Sequence, residues 1–168
     1  MIFKNIPSTK KANEISNKII NLSSEFKGII ISNSKEHNFD VVLDEIEFST
    51  FLYDLFFYSQ VMKVKYSDFF IETTVNTILI SLENFINKNG INIPKGYLQN
   101  MFKNLSNTLH KINNSAKEQD IDGLFLVAGY YCKDELRLNE NDFEEDEILI
   151  ELIANHFLKI INIPESDI

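Results

Sequence analysis

The chain has 168 residues, a net charge of −9 and a single cysteine, Cys132. One cysteine excludes an internal disulfide and suits a reducing compartment. No apolar run approaches the ~18 residues that a membrane-spanning helix needs, and the acidic balance argues against a basic face for nucleic acid. The expectation is one soluble, cytoplasmic helical domain, 1–168, long enough to bury its own core.

Residues 8–27 read as the first helix. Ser8 or Thr9 caps it after Pro7, and Gly28 ends it. Ala12, Ile15, Ile19, Leu22 and Phe26 make one apolar stripe at helical spacing. Residues 28–43 hold two short β-branched runs around the polar stretch SNSKEHN, and a small hairpin is the favoured reading there. A loop followed by a helix start is the alternative.

Asp44 opens the next helix, with Glu47 at capping-box spacing, and the helix runs to about Met62. Nine of the chain's 20 aromatics fall in residues 48–70. Apolar residues occupy nearly every face, which marks a central helix. Tyr53, Tyr58 and Tyr66 are the aromatics expected to reach solvent or a partner, because a tyrosine hydroxyl needs a hydrogen bond. Ser67 or Asp68 caps a third helix to about Lys88, and Asn89-Gly90 stops it. A fourth helix spans roughly 95–114, and NNSAKEQD reads as a polar loop. Residues 121–136 favour a buried helix, with a strand as competitor. The last helix spans about 143–161, before Pro164.

Motifs for catalysis and cofactors are missing. His37, His110 and His156 form no H-E-x-x-H or E-x-x-H pair, so no metal is expected, and each reads as a surface or satisfied core histidine. Gly123 and Gly129 belong to no phosphate loop, and no cofactor is expected. Cys132 reads as a buried structural thiol. Asn139 to Glu144 lacks the glycine and the spacing of a calcium loop.

Charge is the sharpest feature. Residues 1–133 carry 14 acidic and 14 basic side chains. Residues 134–151 carry nine acids, Asp134, Glu135, Glu140, Asp142, Glu144, Glu145, Asp146, Glu147 and Glu151, against Arg137 alone. Helix chemistry accounts for part of this, since acids in a first turn suit the helix dipole and Asp142 with Glu145 has capping-box spacing. The remainder points to a docking surface for a basic protein: a toxin, a nuclease or a DNA-binding protein.

Tyr66-Ser-Asp-Phe69-Phe70, followed by a helix ending at Asn89-Gly90, resembles a motif of a family of small acidic helical bacterial proteins that includes a DNA mimic. The family motif runs Asn-Gly-Gly-aromatic-x-Gln-aromatic-aromatic. Here Val64 and Lys65 replace the two glycines, and Asp68 replaces the glutamine. The late helix around 148–157 is also similar. The resemblance implies a mainly helical domain that binds through negative charge.

The resulting expectation is a mainly α bundle of about six helices. Its function would be non-enzymatic: neutralising a basic partner in the manner of an immunity protein or DNA mimic, with no membrane and no direct nucleic acid. The alternatives are an adaptor with an apolar groove, and an enzyme whose site is assembled from distant residues such as His110, Cys132 and Glu151.

Overall fold

A computed structural model describes residues 9–37, 43–136 and 147–168. These residues form α1 (Thr9–His37), α2 (Leu43–Met62), α3 (Asp68–Lys88), α4 (Tyr97–Glu118), α5 (Gly123–Asp134), α6 (Glu147–Ile161) and a closing 3-10 turn, Glu165–Asp167. The class is mainly α, and no strand occurs among the described residues.

The bundle is built around α2. Every residue from 50 to 59 is buried, on all faces of the helix. A helix without a solvent face must be covered from several sides, and α1, α3, α4 and α6 all pack on α2. Phe157 of α6 stacks on Tyr53 with ring centroids 5.8 Å apart, and Tyr131 of α5 meets the same Tyr53 edge-on at 5.1 Å. The aromatic density read from the sequence is therefore core.

Residues 28–37 continue α1 and do not enter a hairpin; residues 38–42 lie outside the described residues. The buried stripe explains the continuation. Ala12, Ile15, Ile19, Phe26 and Ile30 are all buried, so the apolar face runs past Gly28. Gly28 itself lies on the exposed side, where an added Cβ would meet nothing within 4 Å. α4 likewise extends through residues expected to be loop, because Ala116 is buried and its carbonyl accepts Ile121 N at 2.9 Å. Within 121–136 the segment Gly123–Asp134 is helix, not strand, with Asp122 capping Leu124 N at 2.9 Å.

The start of α4 is held from outside. Its N-cap is Gly96, in the left-handed region at φ 82°, with no side chain of its own to cap the helix. The buried Glu83 of α3 supplies the acceptor. Its carboxylate takes Gly96 N at 2.9 Å and Leu98 N at 3.3 Å. In the last turn of α3, Asn87 exchanges two hydrogen bonds with the Ile93 backbone of the loop that follows, at 2.7 and 3.3 Å. α3 and α4 are thereby fixed against each other, with a cleft between them.

Candidate functional site

Three kinds of place in this fold carry chemistry: a polar network inside the core, the acidic residues at one end, and the concavities between helices.

The network is centred on Asp54, which is fully buried on α2. Ser23 of α1 donates its hydroxyl to Asp54 Oδ2 at 2.7 Å, and His156 Nε2 of α6 lies 2.8 Å from Oδ1. Phe26 covers the imidazole face to face, with centroids 4.1 Å apart. Burial pushes the Asp54 carboxyl above its ordinary range, while the bonds from His156 and Ser23 pull it back. One turn earlier, Thr50 shares a 2.8 Å hydrogen bond with Tyr131 of α5. Nucleophilic catalysis needs an imidazole between the hydroxyl and the carboxylate. Here the carboxylate sits between hydroxyl and imidazole, which is an arrangement that joins three helices. His156 is thus a satisfied core histidine.

Two tyrosines depart from expectation. Tyr53 and Tyr58 are fully buried, and neither hydroxyl has a hydrogen-bond partner among the described residues. The packing of their rings at the helix crossings outweighs the loss of solvent at the hydroxyl. Tyr66 is half-buried and donates to the Ile168 carbonyl at 3.4 Å.

Of the nine acidic residues, Asp134, Glu135, Glu147 and Glu151 are described; Glu140, Asp142, Glu144, Glu145 and Asp146 lie outside the described residues. Glu147 opens α6, where the helix dipole favours a carboxylate, and Glu151 is exposed one turn on. Asp134 and Glu135 occupy the opposite kind of position, the last residue and the C-cap of α5. A negative charge there faces the negative end of the dipole, so local helix chemistry does not account for it. Both line a cavity of about 270 Å³ between α2, α4 and α5, whose apolar wall is Leu52, Met101 and Leu105. Tyr130 stands beside them; burial first, then the charges of Asp134 and Glu135, push its ionisation up.

Other concavities are larger. An apolar groove of about 350 Å³ lies between α1, α2 and α3, formed by Ile20, Phe48, Phe51, Leu82, Phe85 and Ile86, with Ser23 the one polar residue among the described residues that line it. Phe85 is 65% exposed at its rim. A polar cleft of about 550 Å³ runs between α2, α3 and α4 and includes His110. The enzyme alternative named His110, Cys132 and Glu151, and these fall in three different settings: the cleft, the interior of α5 and the exposed face of α6. Among the described residues no group of three or more His, Cys, Asp or Glu side chains is placed to hold a metal ion. No described helix is long and apolar enough to cross a membrane.

Sequence reasoning missed Asp54 and Ser23. The available signal was an aspartate in the middle of a helix apolar all round, where an unpaired carboxylate would be prohibitively costly. It also missed the cleft, because Asp68, Glu72, Lys63 and Lys103 come from separate segments and only the pairing of α3 with α4 assembles them. Compared with known protein families, curated proteins and solved structures, the chain matches none.

Proposed function

We propose that this is a binding protein that docks a basic protein partner on its acidic 134–151 segment. The observation that carries this reading is the exposure of acids in a segment that holds nine of them against one arginine, in a chain whose residues 1–133 are charge-balanced. Asp134 is exposed at the carboxyl end of α5, where the dipole disfavours a carboxylate. Exposed Glu147 and Glu151 extend the same sign onto α6. The chemistry fits a cationic protein of the toxin, nuclease or DNA-binding type, as an immunity protein or DNA mimic would meet. Complementary charge would steer encounter and select partners more than it would add affinity.

The test is affinity capture from the source cells with wild type and with an Asp134→Asn, Glu135→Gln, Glu147→Gln, Glu151→Gln variant. A basic protein held by wild type, released by salt and not held by the variant supports the reading. Equal capture by the variant contradicts it.

The apolar groove favours a second reading, an adaptor for an apolar segment of another protein. Its six apolar residues and the exposed Phe85 are the supporting features. Capture that survives high salt and is lost in Phe85→Ser would select this reading over the first.

A further inference from the structure

The acidic face does not explain the cleft between α2, α3 and α4. Its volume of about 550 Å³ lies within the ~300–1,000 Å³ typical of small-molecule sites. Asp68 and Glu72, on the first two turns of α3, line one side. Lys103 and His110, two turns apart on α4, line the other, and Lys63 joins them from the end of α2. Burial and the Lys63 charge both hold the His110 imidazole below its ordinary pKa, which leaves it a neutral hydrogen-bonding group at pH 7.

The two sides carry opposite charge, yet no ion pair closes the cleft among the described residues. Gln99 closes part of the cleft by donating to Asn76 Oδ1 at 3.3 Å. A lone anion would be repelled by Asp68 and Glu72, and a lone cation by Lys63 and Lys103. Only a ligand carrying both charges is complementary to both walls.

We propose that this cleft binds a small zwitterion of the free amino-acid type, with its ammonium at Asp68 and Glu72 and its carboxylate at Lys63 and Lys103. This site is independent of the acidic docking segment and stands or falls separately from it.

The experiment is titration calorimetry with the standard amino acids, one at a time. The strongest binder is then compared with its N-acetyl and carboxamide forms and with inorganic phosphate. Binding of at least one amino acid with a Kd below about 1 mM is expected. Each single-charge form should bind about tenfold more weakly or worse, as should Glu72→Gln and Lys103→Gln. Both residues are exposed, so these variants should keep the wild-type unfolding midpoint, and that midpoint is measured alongside. No amino acid binding with a Kd below about 1 mM, equal binding by the single-charge forms, or tighter binding of phosphate would overturn the proposal.

Discussion

Asp54 illustrates how one polar residue can fix the arrangement of an apolar core. It joins α1 through Ser23 and α6 through His156, and its carboxylate has no route to water. Removing one member of a buried pair strands the other, which costs about 3–5 kcal/mol. We expect a loss of that size for Asp54→Ala in urea unfolding. A pH effect follows from the same burial. Between the ordinary carboxyl value of 3.8 and the raised value of Asp54, the folded state holds a proton that the unfolded state has released. Unfolding free energy therefore falls as pH rises through that window. Asp54→Asn cannot titrate and should flatten this slope; an unchanged slope would place its origin elsewhere. The tyrosines offer a paired comparison. Tyr53→Phe deletes a hydroxyl without a partner among the described residues and should be neutral or stabilising by up to about 1 kcal/mol. Tyr131→Phe breaks the bond to Thr50 and should cost about 1 kcal/mol or more. Equal losses in both variants would contradict this distinction.

At the scale of the element, periodicity located each helix, and the errors came from punctuation. Gly28 reads as a stop, yet the buried stripe carries α1 past it. The NNSAKEQD stretch reads as loop, yet Ala116 packs inward and keeps α4 helical. Tertiary burial outweighs a local break signal in both cases. Gly28 is exposed with open space around its Cα, so Gly28→Ala should stabilise the protein by about 0.5–1 kcal/mol, read as a raised urea midpoint. Destabilisation would mean that the helix needs glycine there. The cap on α4 was invisible in the sequence because it comes from another helix. Glu83→Ala strands two backbone donors at the start of α4 and should cost about 1–2 kcal/mol. A loss no larger than that of an exposed glutamate such as Glu72 would remove this role.

At the scale of the molecule, the fold class and the acidic segment were legible, because both are sums over many residues. α2 being apolar on every face predicted its central place, and the structure puts it there. The sites were less legible. The acidic segment showed its charge but not that Asp134 and Glu135 sit at a helix carboxyl end beside a cavity. The polar cleft needs residues from three helices, and no local pattern marks such an assembly. The proposed docking function depends on long-range charge, so it makes a kinetic demand. Exposed charges are screened over about 8–10 Å at physiological salt, and steering should fade accordingly. The measurement that tests it most directly is the association rate of the captured partner across a salt series. Wild type is compared with the Asp134→Asn, Glu135→Gln, Glu147→Gln, Glu151→Gln variant. We expect the wild-type rate to fall steeply with salt, and the variant to bind about tenfold or more slowly at low salt with a shallower dependence. Equal rates for the two proteins at every salt concentration would contradict docking through the acidic segment.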